Sequence, residues 1–223
     1  MTTVYLIRHS AKYDVFRKLG KFYSDDDNYG QYKYRTLSIE GEKRAEILGK
    51  EAELQNLDAV YCSTYVRAME TAKYLAEPQN LSLNVDKRFD EITEGDLESD
   101  IWTESCDRQY IELDLKFPNG ESHNEVFKRF NEGFWETVLE NRRKRVAIVT
   151  HGCAMTCFMN PYIELVEPVA NDYKWFRFNG KELFKGKFDV PEVFKLTVNE
   201  KNKEIIDIEN ITFEDLTRRD RGD

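Results

Sequence analysis

The sequence predicts an α/β protein, a three-layer αβα sandwich with a mostly parallel central sheet. Two observations carry that prediction. Short apolar runs alternate with longer segments of helical period, and strand–helix–strand order implies right-handed crossovers that cover both faces of a parallel sheet. With 223 residues, 40% hydrophobic and 34% charged, the chain is also long and apolar enough for a full core and too apolar for disorder.

Val4 to Ile7, Ala59 to Cys62 and Val146 to Val149 read as strands buried on both faces. Between the first two, Ser38 caps a helix with Glu40 and Glu42 in its first turn and Ala45, Leu48 and Ala52 at helical spacing. After the second strand, Ser63 and Thr64 are expected to cap a helix carrying Ala68, Thr71, Ala72 and Leu75 on one stripe. A longer helix follows Gly120, with Val126, Phe127, Phe130, Phe134 and Val138 facing inward. The segments VFKLTV and EIIDI, joined by a turn at Asn199 to Asn202, predict a C-terminal β-hairpin at the sheet edge. Residues 13–35 and 160–189 break the pattern and read as long loops. Each is either a cover over the site or a surface loop with partial local structure. Residues 217–223 form a charged tail expected to fray. No Pro/Gly/Ser-rich linker or fixed-period repeat divides residues 1–223, so a single domain is expected.

Composition narrows the function classes. A net charge of −9 argues against nucleic acid as the partner, because phosphate backbones call for clustered Lys and Arg. The one basic run, Arg142 to Arg145, reads as a solvated helix end placed where cations suit the dipole. No stretch approaches the roughly 20 apolar residues that span a bilayer, and the N-terminus lacks a basic then apolar leader, so a cytoplasmic protein without membrane contact is expected. Cys62, Cys106, Cys153 and Cys157 show no C-x-x-C pair and read as reduced thiols. A metal could in principle be held by His151, Cys153 and Cys157, but zinc normally takes four ligands and no partner cluster stands nearby in sequence. The expectation is therefore no metal and no cofactor. Oligomeric state is not legible.

Chemistry gathers where the strands end. In open α/β sheets ligands bind beyond the carboxyl ends of the strands, and three of them release polar residues there: Arg8-His9, Ser63-Thr64 with Arg67 one turn on, and His151-Gly152. Two of only three histidines stand directly after apolar strands. Arginine beside histidine points to a phosphoryl group, since a guanidinium donates two hydrogen bonds in the geometry phosphate presents. Neither a Walker-type loop nor an aspartate cluster for magnesium is present, so protein cations would neutralise the charge and a histidine could serve as nucleophile.

An ordered series of motifs resembles the histidine phosphatase superfamily, also called phosphoglycerate mutase-like. It runs through Leu6-Ile7-Arg8-His9; Leu37-Ser38 with Glu40-Gly41 and Ala45; Tyr61-Cys62-Ser63 with Arg67-Ala68 and Thr71-Ala72; Phe89-Asp90-Glu91 with Gly95; Gly120-Glu121-Ser122; and Val149-Thr150-His151-Gly152. The resemblance implies a phosphoglycerate mutase-like sandwich that hydrolyses a small phosphorylated metabolite without metal. His9 would be the nucleophile, Arg8, Arg67 and His151 would hold the phosphoryl oxygens, and Glu91 would be the general acid and base. Glu91 lies in the acidic stretch DEITEGDLE, where Glu94 is the alternative. For Glu121 and Ser122 helix capping competes with a site role, and His123 reads as an exposed residue at the pocket mouth. Ser10 stands where the family usually has glycine, followed by Ala11 and Lys12 in place of the common acidic and hydroxyl residues, and a further phosphate-binding asparagine has no counterpart. Ser10 is therefore expected to touch phosphate through its hydroxyl or its backbone N–H. Two rival functions remain: phosphoglycerate mutase-type transfer, and a non-catalytic module that binds phosphorylated ligands.

Overall fold

A computed structural model of the chain describes residues 1–13, 33–96, 107–167 and 172–217. The expected strands form β1 (Thr2–Arg8), β2 (Ala59–Cys62) and β4 (Arg145–Thr150), joined by a short β3 (Leu83–Val85). Together with β8 (Val193–Asn199) and β9 (Glu204–Ile211) they make a six-stranded sheet of order β3-β2-β4-β1-β8-β9. The four N-terminal members pair in parallel, while β8 runs antiparallel to β1 and to β9, so the predicted hairpin does form the sheet edge.

Strand alternation builds the three layers. Val4, Leu6, Val146 and Ile148 face one side, where α3 (His123–Glu140) and α4 (Gly152–Met159) bring Phe130, Phe134, Val138 and Phe158. Tyr5, Ile7, Ala147 and Val149 face the other, against Leu48 of α1 (Ile39–Lys50) and Ala68, Ala72 and Leu75 of α2 (Val66–Ala76). Helix starts are satisfied by the expected residues in two cases. The Ser38 hydroxyl accepts from Gly41 N at 3.0 Å, and Ser122 and Glu125 form a reciprocal capping box. The third expectation fails: Tyr65 occupies the N-cap of α2 without a side-chain bond, because Ser63 and Thr64 are committed elsewhere. The basic run behaves as expected over Arg142 to Lys144, which are exposed.

Within 160–189 the described residues hold more than loop. They carry a separate antiparallel sheet of β5 (Glu164–Leu165), β6 (Lys174–Phe178) and β7 (Lys181–Gly186). The β6–β7 turn is Asn179-Gly180, both with left-handed φ (+49° and +76°), the pair that a type I′ hairpin turn requires. An aromatic chain, Phe176–Phe184–Phe188–Phe194, with ring centroids 4.9–6.2 Å apart, ties this small sheet to β8. The other expected loop falls at residues 14–32, outside the described residues. The tail begins with a short helix α5 (Glu214–Thr217), beyond which residues 218–223 are likewise outside them. Among the described residues no helix is long and apolar enough to cross a membrane.

Candidate active site

The parallel ladder continues one residue past the strand ends. His9 N donates to Thr150 O at 2.9 Å and Ser63 N to Val149 O at 3.0 Å. Because β1 and β4 are neighbours with Arg8 opposite Thr150, the ladder brings His9 and His151 face to edge, ring centroids 5.1 Å apart. Arg67, in the first turn of α2 and fully buried, reaches both. Its Nε donates to His9 Nε2 at 2.9 Å and its Nη2 lies 3.1 Å from His151 Nδ1.

These bonds assign the tautomers. His9 Nδ1 stands 2.7 Å from Ser10 O, which only accepts, so Nδ1 carries the hydrogen and Nε2 the lone pair. A guanidinium only donates, so His151 Nδ1 accepts and its Nε2–H donates to Ser63 Oγ at 2.7 Å. Burial, then the cations Arg67 and Arg8, hold His9 well below the ordinary imidazole range; burial and Arg67 do the same for His151. Both rings are neutral at neutral pH. Arg8 anchors itself by donating from Nη1 to Phe188 O at 2.6 Å, while its buried Nε has no partner among the described residues. Gly152 makes room for it: a Cβ there would stand 3.3 Å from Arg8 Nε.

Glu91 stands beside the group, at the first turn of α4. Its Oε1 accepts from Ile92 N at 3.0 Å and from Ala154 N at 2.8 Å, and Oε2 lies 3.4 Å from Cys153 N, so the first turn of α4 holds the carboxyl. Burial and then the neighbouring Cys153, opposed by those N–H groups and by Arg67, raise its pKa from 4.5 to about 7. Such a carboxyl can both give and take a proton near neutrality. The segment around it is pinned by side chains. Asp90 accepts from Thr64 N and Oγ1 at 2.7 and 2.8 Å, and Thr150 Oγ1 donates to Phe89 O at 2.6 Å. Arg129 of α3 donates to the carbonyls of Arg88, Asp90 and Glu91 at 2.8–3.0 Å and pairs with both oxygens of Glu121. Beside Glu91 opens a cavity of about 400 Å³ whose lining includes Lys33, Tyr65, Lys87, Asp90, Thr93 and Arg129.

The structure thus brings together Arg8, His9, Arg67, Glu91 and His151, with Ser10 beside them: its carbonyl faces His9 Nδ1 while its hydroxyl and N–H turn to other segments. Ser10 is fully buried; its Oγ donates to Gly41 O at 2.7 Å and its N to Thr71 Oγ1 at 2.9 Å, so both donors are spent on neighbouring chain. Glu121 is not the cap but the partner of Arg129 and of Thr93 N, at the wall of the cavity beside Glu91, and Ser122 is the cap. His123 is buried at 4% exposure, not at the pocket mouth. Sequence reasoning missed Arg129, an arginine three residues after Val126 and beside Phe130 on the helix's apolar stripe. It also missed Lys174, a buried ammonium 4.9 Å from the Phe188 ring centroid, in the loop-like stretch YKWFRF.

The family model for the histidine phosphatase superfamily (branch 1) matches residues 4–174. The chain is 26% identical over 174 residues to a protein of Citrobacter koseri named Probable phosphoglycerate mutase GpmB, covering 74% of this chain and 76% of that one. It is 31% identical over 129 residues to Phosphoserine phosphatase 1 of Hydrogenobacter thermophilus, covering 53% and 60%. Among solved structures, a mycobacterial glucosyl-3-phosphoglycerate phosphatase superposes with a TM-score of 0.65 at 18% identity, over 95% of this chain and 99% of that one, a likeness of fold. With motif order, sheet topology and the paired histidines in agreement, the chain belongs to the histidine phosphatase superfamily, branch 1.

Proposed function

We propose that the chain hydrolyses a small phosphorylated metabolite through a phosphohistidine on His9. The observation that carries this reading is the Arg67 guanidinium shared between two neutral histidines, with the lone pair of His9 Nε2 facing it. That lone pair is engaged by Arg67, so a phosphoryl group must first draw the guanidinium onto its own oxygens. Binding and activation of the nucleophile then become one event. Arg8, Arg67 and His151 Nε2–H would spread over the phosphoryl oxygens. His9 Nε2 bonds to phosphorus as the P–O bond to the leaving alcohol breaks, and protonated Glu91 gives its proton to that oxygen. Water then attacks the phosphohistidine, Glu91 takes the water's proton, the P–N bond breaks, and inorganic phosphate leaves. Hydrolase names among the relatives and neighbours support this direction, in particular the phosphoserine phosphatase and the glucosyl-3-phosphoglycerate phosphatase. The free thiols Cys62, Cys153 and Cys157 suit a reducing, cytoplasmic setting.

Phosphate release from an aryl phosphate, unchanged by a chelator, is the expected result; loss of activity on chelation would overturn the metal-free step. The mutase reading draws on the name of the GpmB relatives. Incubation with a phosphoglycerate separates the two, since free phosphate marks hydrolysis and an isomeric phosphoglycerate marks transfer.

A further inference from the structure

Next to Glu91, but outside the phosphoryl pocket, three soft ligands converge. His123 comes from the first turn of α3, and Cys153 and Cys157 stand one turn apart on α4. His123 Nε2 is 3.7 Å from Cys153 Sγ, Cys153 Sγ is 3.9 Å from Cys157 Sγ, and all three ligand atoms lie within 4.8 Å of one another. A tetrahedral zinc ion with Zn–S near 2.3 Å and Zn–N near 2.05 Å sets ligand edges of about 3.8 Å between sulfurs and about 3.5 Å between nitrogen and sulfur. The two measured edges are already within a few tenths of an ångström of those values.

We propose that His123, Cys153 and Cys157 form a binding site for a thiophilic divalent cation of the zinc class. Charge supports the choice of ion: two thiolates and one dication sum to zero, which suits a site where His123 and Cys157 are almost completely buried. Each thiol loses its proton to solvent as the metal–sulfur bond forms. The ligands are held in place beforehand. The Ser122–Glu125 capping box fixes the turn that carries His123, and the Tyr110 ring packs edge-on against the imidazole with centroids 4.5 Å apart. The Tyr110 hydroxyl, 3.5 Å from Cys153 Sγ, supplies an oxygen beside the trio. The sequence expectation weighed His151 with the two cysteines and set a metal aside because zinc normally takes four ligands and no partner cluster appears. His151 is instead committed to Arg67 and Ser63, and the nitrogen ligand arrives from a helix 30 residues away. The site shares with Glu91 the helical turn whose Cys153 and Ala154 N–H groups hold that carboxyl. Metal capture there requires none of the phosphoryl chemistry.

The test uses the full chain, reduced and stripped with chelator, titrated with Co²⁺ as a spectroscopic stand-in. One equivalent should produce a sulfur-to-cobalt charge-transfer band that Zn²⁺ abolishes, and Zn²⁺ should shield Cys153 and Cys157, but not Cys62, from alkylation mapped by mass spectrometry. Cys157→Ser and His123→Gln should each weaken binding by more than the roughly 10–100-fold that loss of an outer-sphere partner costs, with Cys62→Ser unchanged. No band in the wild type, a band indifferent to both ligand variants, or one removed by Cys62→Ser overturns the site. If either ligand variant fails to fold, the alkylation map of the wild-type protein decides alone: unshielded Cys153 and Cys157 overturn it.

Discussion

The two halves of the proposed active site are held by different means. His9, Ser63 and His151 stand one residue beyond neighbouring parallel strands, so backbone hydrogen bonds of the sheet set their positions. Glu91 opens a stretch, residues 91–95, without helix or strand, and side chains from distant elements place it: Thr64 on Asp90, Thr150 on Phe89, Arg129 on three carbonyls. The nucleophile half inherits the rigidity of the core. The acid half depends on a few polar contacts, so substitutions should divide cleanly between the two.

The largest effect is expected at the nucleophile. His9→Ala should lower phosphate release roughly 10⁴-fold or more and abolish labelling of the protein by phosphate, because only binding and charge complementarity remain. A variant that still turns over would remove His9 from its assigned role. Next comes Glu91→Gln, expected to lower turnover of alkyl phosphates on the order of 10³-fold but that of aryl phosphates much less, since a phenolate departs without a proton. The pH profile should match. Turnover of alkyl phosphates requires Glu91 protonated, so it should fall as pH rises through about 7. His9 must be neutral and is held well below the ordinary imidazole range, so the acid limb should lie well below pH 6.5. An alkaline limb that survives Glu91→Gln would assign it to another group. Arg67→Lys should cost on the order of 10²-fold, because one ammonium cannot serve both histidines and the phosphoryl oxygens in the fixed fork of a guanidinium.

How far each half was legible follows from the same contrast. A parallel strand that ends in histidine declares its position, because neighbouring strands carry their ends to one rim. Arg8, His9 and His151 therefore group together on sequence alone, and Arg67 follows as a first-turn residue of the next helix. Nothing local to DEITEGDLE says which carboxylate turns inward. Glu91 was reachable only by resemblance, and its support is invisible in sequence because Arg129 lies 38 residues on in another helix. The partner of the Ser10 hydroxyl, Gly41 O, is a tertiary contact that nothing in the local sequence declares. The small sheet went unseen although Asn179-Gly180 between KWFRF and KELFKG is a hairpin signal; charged residues interleaved with aromatics masked the strands. His123 shows the same limit, its burial decided by Tyr110 and α4 rather than by its own helix.

Arg129 tests whether the acid half is positioned from a distance. Arg129→Lys keeps the charge and an ion pair with Glu121 but cannot reach three carbonyls at once, so the Glu91 segment should lose its register. Alkyl phosphate turnover should drop roughly 10-fold with aryl phosphate turnover nearly spared, a split that follows from the proton-donor role of Glu91. A merely structural arginine would lower both equally.

The smallest effect is thermodynamic and comes from the same carboxyl. Burial raises Glu91 from 4.5 to about 7, so between those values the folded chain keeps a proton that the unfolded chain has released. Stability then falls as pH rises through that window, because the unfolded state binds fewer protons. Below pH 4.5 both states hold the proton and the term is fully favourable; above about 7 both have lost it and the penalty is constant. Glu91→Gln removes the titration while keeping an acceptor for Ile92 N and Ala154 N. The difference in Tm between variant and wild type should therefore grow from pH 4.5 to pH 7 in favour of the variant and level off above that, the titrating groups that do not interact with Glu91 being shared and cancelling in the difference. A difference that stays flat across this window would mean that Glu91 ionises as freely in the fold as in water, and with that the acid half would lose its proton donor at neutral pH.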